Sequence, residues 1–107
     1  MAQEGKGPEG PSNTKMGIEE FLARCGRDSL DEAFGQIAEI AVEKTPRAFR
    51  RVLKDPKKFD LVVARLAAAH IGQLICEAKG IDLQATDGDW VNAVREWRER
   101  TNYVINV

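Results

Sequence analysis

At 107 residues, 43% hydrophobic and 31% charged, the chain has the length of one domain and enough apolar content for a core, which excludes a wholly disordered protein. Sixteen lysines and arginines against seventeen aspartates and glutamates leave a formal net charge of −1, so the chain is not basic overall, as nucleic-acid-binding domains usually are. Two cysteines are too few for a secreted disulfide scaffold, and no signal-like or membrane-length uninterrupted apolar run occurs, so a cytoplasmic protein with no membrane partner is expected.

Residues 1–15 carry Gly5, Gly7, Pro8, Gly10, Pro11 and Ser12, and their only apolar side chains are Met1 and Ala2. Such a segment buries too little to offset its chain entropy and is predicted to be a disordered tail, with residues 16–107 as a single helical domain. The first helix is predicted over Lys15–Cys25, capped by Asn13 or Thr14 and stopped by Gly26, with Ile18, Phe21, Leu22 and Cys25 at i, i+3, i+4 and i+7. Ser29 and Glu32 have capping-box spacing and are predicted to open a second helix, striped by Leu30, Phe34, Ile37 and Ala41. Gly35 in its middle costs up to about 1 kcal/mol relative to alanine. Thr45-Pro46 is predicted to cap a short third helix ending at Lys54, with proline at the first helical position, where no amide proton is needed.

Asp55-Pro56 repeats that device and opens the fourth helix, Pro56–Lys79, about 36 Å long and ended by Gly80. On a 100° wheel Phe59, Val63, Leu66 and Leu74 share one line, and Ala64, Ala68 and Gly72 form a row of small residues opposite. Packing on both sides, at the centre of the fold, is the expectation. Ile81–Ala85 reads as a connector. Thr86 and Asp89 form a second capping signal for a fifth helix to about Arg100, striped by Trp90, Val94 and Trp97. The chain closes on Tyr103-Val104-Ile105-Asn106-Val107, a short extended tail with alternating strand formers. The predicted class is all-α, a compact bundle of four to five helices around a long central fourth one.

Charge is unevenly distributed. Between Lys44 and Lys58 stand Lys44, Arg47, Arg50, Arg51, Lys54, Lys57 and Lys58 against one acid, Asp55. On the predicted third helix, Phe49, Val52 and Leu53 share an apolar face opposite Arg47, Arg50, Arg51 and Lys54. These seven cations are the candidate contact for an anionic or nucleic-acid partner. The bland alternative is a solvated face, or one paired with the acids Asp31, Glu32, Glu39 and Glu43 of the second helix. Trp90 and Trp97 could stack on bases, but their shared stripe with Val94 places them in the core.

His70, the lone histidine, shares the Phe59 line and reads as a core or seam residue; Cys25 and Cys76 read as small apolar residues on the same ground. Asp82, Asp87 and Asp89 lack the ligand alternation of a calcium loop. No nucleophile–base pair, phosphate-cradling glycine loop or paired carboxylates occur, so no catalytic residue, cofactor, metal or small-molecule substrate is predicted. The expected function is a non-enzymatic protein-interaction module, a subunit of a homo-oligomer or larger assembly. Tyr103, Ile105 and Val107 are its candidate oligomer contact. The second reading is a nucleic-acid-binding accessory protein.

Overall fold

Five helices and a two-stranded sheet make up residues 14–107, the part of the chain described by the computed structural model. In order they are β1 (Thr14–Gly17), α1 (Ile18–Cys25), α2 (Arg27–Lys44), a 3-10 turn at Arg47–Phe49, α3 (Arg50–Leu53), α4 (Pro56–Lys79), β2 (Ile81–Gln84) and α5 (Asp87–Thr101). The all-α bundle expected from the sequence is the fold. Its centre is α4, which packs against α2, α3, α5 and β2.

Both ends of α4 are built as the sequence predicts. The Asp55 carboxylate accepts a hydrogen bond from the Lys57 amide at 3.0 Å, and Pro56 occupies the first turn. Gly80 ends the helix in the left-handed region, φ 63°, with its amide donating to the Ile75 carbonyl. At α5 the Thr86–Asp89 box is complete: the Asp89 amide donates to the Thr86 hydroxyl oxygen at 3.3 Å, and the Thr86 amide donates to the Asp89 carboxylate at 2.8 Å.

Elsewhere the local signals are overridden. Thr14–Gly17 is a strand, where a tail end and a helical turn were expected, and its parallel partner is Ile81–Gln84, expected as a connector. Met16 faces Leu83 in this register and is buried, as the half-buried Ile81 and Leu83 alternate with exposed Asp82 and Gln84. The remainder of the predicted disordered tail, residues 1–13, lies outside the described residues.

Gly26, at φ +86°, breaks the chain so sharply that α2 starts immediately after it, at Arg27. Ser29 is thereby placed inside the first turn, and the predicted Ser29–Glu32 box does not cap the helix. Thr45 also changes role. It closes α2 rather than opening α3, its hydroxyl donating to the Ala41 carbonyl at 2.6 Å and its amide to Val42.

The core joins Phe34, Ile37 and Ala38 of α2, Phe59, Val63, Ala64 and Ala67 of α4, and Trp90, Val94 and Trp97 of α5. Met16, Ile18 and Phe21 close one end. Trp97 packs on Phe34 at 5.8 Å between ring centroids, and Trp90 meets Phe21 edge-on at 6.4 Å, so both tryptophans are core residues as expected.

The buried line of α4 differs from the predicted one. It follows the i, i+4 row Phe59, Val63, Ala67, Ile71 and Ile75, which turns by about 40° per step. The core line therefore swings away from the predicted stripe, leaving Leu66 41% and Leu74 52% exposed. His70 beside them is exposed too, so it is not a core residue but lies at the edge of the α2–α4 seam. The small-residue row does not carry a second packed face: Ala64 is fully buried, Ala68 only partly, and a β-carbon at Gly72 would meet nothing within 4 Å. Cys25 and Cys76, expected to be buried, are both exposed free thiols.

Candidate interaction surface

The seven predicted cations form a continuous strip of backbone. Lys44 ends α2, Arg47 stands in the 3-10 turn, Arg50 and Arg51 start α3, Lys54 follows it, and Lys57 and Lys58 lie in the first turn of α4. Leu53, 3% exposed, is the anchor that pins α3 to the bundle. Arg50 is tied down as well, its Nε donating to the Thr45 carbonyl at 3.3 Å. The other six cations are exposed.

The apolar face predicted for this helix is not buried as a unit. Phe49 is 61% exposed and Val52 44%. α3 meets the bundle through Leu53, and Phe49, in the 3-10 turn before it, and Val52 are left outside that contact. An aromatic ring and a valine are thus displayed among the cations.

Among the described residues, no carboxylate lies within 4.0 Å of any of the seven. The α2 acids considered as their partners do not reach them. Asp31 pairs with Arg100 of α5 instead, and Glu32, Glu39 and Glu43 are exposed. The remaining ion pairs use other cations: Arg24 with Glu20, Arg65 with Asp87, and Arg95 and Arg98 with Asp60. The strip therefore keeps its positive potential.

Asp60 is the polar residue that sequence reasoning missed. It is 1% exposed on α4, and its Oδ2 accepts a hydrogen bond from the Arg98 Nη2 at 3.2 Å, with Arg95 at 3.6 Å. Arg98 also donates to the Pro56 carbonyl at 3.4 Å, so one guanidinium fixes both the carboxylate and the turn that carries Lys57 and Lys58. The partners stand 38 residues apart in sequence, beyond any local spacing rule. Asp60 Oδ1 and Trp97 Nε1 are buried without a hydrogen-bond partner among the described residues.

Burial pushes the Asp60 carboxyl above the ordinary aspartate value; Arg98 and Arg95 oppose the rise, and Glu99 adds to it. An acid with a raised folded pKa binds more protons folded than unfolded between its two values. Its contribution to stability is fully present below the unfolded value and is lost as pH rises through the folded one. Asp60→Asn keeps the shape and removes the titration. Urea melts should show the variant gaining on the unmodified protein as pH climbs from about 4, the ordinary aspartate value. Parallel stability–pH curves would show that Asp60 titrates as it does in the unfolded chain.

The candidate oligomer residues Tyr103, Ile105 and Val107 are half-buried, while Val104 and Asn106 point outward. The Tyr103 ring stacks on Phe59 at 5.8 Å and 12°, and lies 5.2 Å from Trp97. The alternation read as strand chemistry thus finds cover within the chain, and residues 103–107 run as an extended strap. In the acidic connector, Asp89 caps α5 and Asp87 pairs with Arg65 at 3.2 Å. Among the described residues no group of three or more His, Cys, Asp or Glu is placed to hold a metal.

A second surface, unforeseen in the sequence, runs along the seam of α2 and α4. Ile40, 46% exposed, faces Leu66 and His70 across a shallow depression of about 200 Å3. Through Ala33 this continues into a groove of about 510 Å3 lined by Leu30, Leu74 and Ala78, with Met16 and Phe21 on its floor. The ionisable side chains lining the two, the Cys25 thiol aside, are Arg24, His70 and Lys79. Comparison of the chain with protein-family models, curated proteins and solved structures found no match.

Proposed function

We propose that the protein is a non-enzymatic interaction module, a small subunit that engages an anionic partner through residues 44–58. The observation that carries this reading is the strip of seven cations unneutralised by any described acid, with Phe49 and Val52 exposed among them. Unpaired charge steers an oppositely charged partner, and an exposed aromatic flanked by arginines gives the encounter an anchor to desolvate. An acidic protein surface suits this mixture best, because interface cores combine arginine and aromatic contacts with a polar rim. The exposed Glu32, Glu39 and Glu43 of a second copy are one such surface.

A specific observation also favours nucleic acid. Phe49 presents a free ring beside cations that could track phosphates, which is how single strands are held without sequence preference. The two readings separate by titration. An acidic peptide and a random-sequence single strand, each labelled, are titrated with the protein at increasing salt. Binding of the strand should fall linearly on a log–log salt plot, with a slope of about −0.7 per phosphate neutralised. Reversing Arg47, Arg51 and Lys54 to glutamate should abolish binding of either probe and leave helical circular dichroism unchanged. A strand that does not bind at about 50 mM salt removes the nucleic-acid reading. Failure of both probes removes the strip as the site.

A further inference from the structure

We propose that Thr45 is a phosphorylation site, and that its phosphate, held by the arginines beside it, switches off the cationic strip. The switch rests on the reading of the strip as the contact for an anionic partner; the modification itself does not. The enzyme it fits is a protein kinase that requires proline after the acceptor, and Thr45-Pro46 is the one hydroxyl–proline pair in the chain.

Three observations carry it. First, the backbone already has the form that a cleft reads. Proline pushes the residue before it to extended geometry. Thr45 has φ −81° and ψ 126°, and Pro46 φ −54° and ψ 144°, so the chain runs extended between α2 and the 3-10 turn. The other described hydroxyl residues are tied into regular structure: Thr14 in β1, Ser29 in the first turn of α2, Thr86 in the α5 capping box and Thr101 in α5. Second, the segment is open. Glu43 and Lys44 before Thr45, and Pro46 to Phe49 after it, are all exposed. Thr45 is partly exposed, and its hydroxyl is held by one hydrogen bond, to the Ala41 carbonyl at 2.6 Å. Rotation of one side-chain torsion releases it.

Third, the product has a seat. Arg50 already reaches Thr45, its Nε donating to the Thr45 carbonyl at 3.3 Å, and the rest of its guanidinium fork remains for a phosphate. Lys44 and Arg47 flank the site with no carboxylate within 4.0 Å among the described residues. Glu43, the nearest acid in sequence, lies about 160° round the helix wheel from Thr45. In the reaction the Thr45 Oγ attacks the γ-phosphorus of ATP. The new O–P bond forms as the bond to the bridging oxygen breaks; ADP leaves with that electron pair, and the hydroxyl proton passes to the kinase's base. The dianion is repelled by the carbonyl end of α2 and drawn to Arg47 and Arg50. Seven cations less Asp55 give residues 44–58 a charge of +6, of which a phosphate cancels about a quarter to a third.

The test incubates the folded full chain with ATP and a proline-directed kinase, with Thr45→Val and Pro46→Ala alongside, each checked by circular dichroism. Peptide mass should place one phosphoryl group on Thr45, absent in Thr45→Val and about tenfold slower to appear in Pro46→Ala, which frees the backbone at Thr45. The phosphorylated chain should bind the labelled single strand or the acidic peptide about tenfold more weakly, and for the strand the salt slope should be shallower by about 0.7 or more. No phosphate on Thr45 overturns the proposal, as does phosphorylation seen only after unfolding in urea or equally fast in Pro46→Ala. Binding as tight after phosphorylation as before overturns the switch. If the unmodified chain binds neither probe, the proposed function fails and the phosphate's seat is read directly. Its phosphorus resonance should then titrate below about 6, the ordinary second pKa, and return toward that value in Arg47→Gln/Arg50→Gln. The same titration in both chains would overturn the seat and the proposal with it.

Discussion

Replacing Phe59 by alanine should destabilise the protein by about 3 to 5 kcal/mol, the range for removing a buried aromatic ring. Phe59 is fully buried at the head of the α4 core line, and its ring is the platform on which Tyr103 stacks. Truncation therefore leaves a cavity and also strips the strap of its seat. The α4 wheel read at a fixed 3.6 residues per turn makes Leu66 an equal partner of Phe59. With Leu66 41% exposed, Leu66→Ala should cost only about 1 kcal/mol, because much of its surface stays in water on folding. Urea denaturation of the two variants side by side decides the matter. Similar losses would mean that Leu66 is covered in solution and that the seam is occupied.

Ending the chain after Asn102 should cost about 3 kcal/mol, the second large effect. The deletion removes the stacked Tyr103 ring and the half-buried Ile105 and Val107. Each is partly exposed, so the sum stays near the lower bound for losing one fully buried aromatic residue. Against a total of about 5 to 15 kcal/mol for a domain, that is a large share. The thermal midpoint should drop while the particle mass by light scattering stays the same. If the mass halves, Tyr103, Ile105 and Val107 hold two chains together, as their alternation first suggested. Tyr103→Phe, which keeps the stacked ring, should restore nearly all stability in the full-length chain.

What could be read from the residues follows the range of the interaction concerned. Asp55-Pro56, Gly80 and Thr86–Asp89 act over four or five residues, and each ends or starts a helix where expected. The cations of the strip were legible as well, since their run is contiguous. The display of Phe49 and Val52 was not, because it depends on how α3 seats on α4 through Leu53, a tertiary contact that no local spacing announces. Asp60 meets Arg98 only through the tertiary packing of α4 on α5. The apolar seam was hidden for a related reason. Leu66 and Leu74 lie about 60° and 20° from buried Val63 on the wheel, and the swing of the core line along i, i+4 neighbours leaves them outside it.

The parallel pairing of Thr14–Gly17 with Ile81–Gln84 has a consequence for biosynthesis. Strand β1 leaves the ribosome long before its partner has been made. At about 5 to 20 residues per second, the interval between the two is roughly 3 to 13 s. During that time Met16 has no Leu83 to face, and α1 lacks the neighbouring strand that seats it. The helices from α2 to α4, whose contacts are nearer in sequence, can assemble while β1 waits. The sheet can then close only late in synthesis, once β2 has emerged and shortly before α5 docks. Joined by four short ladder positions, it is also where the finished molecule should first open.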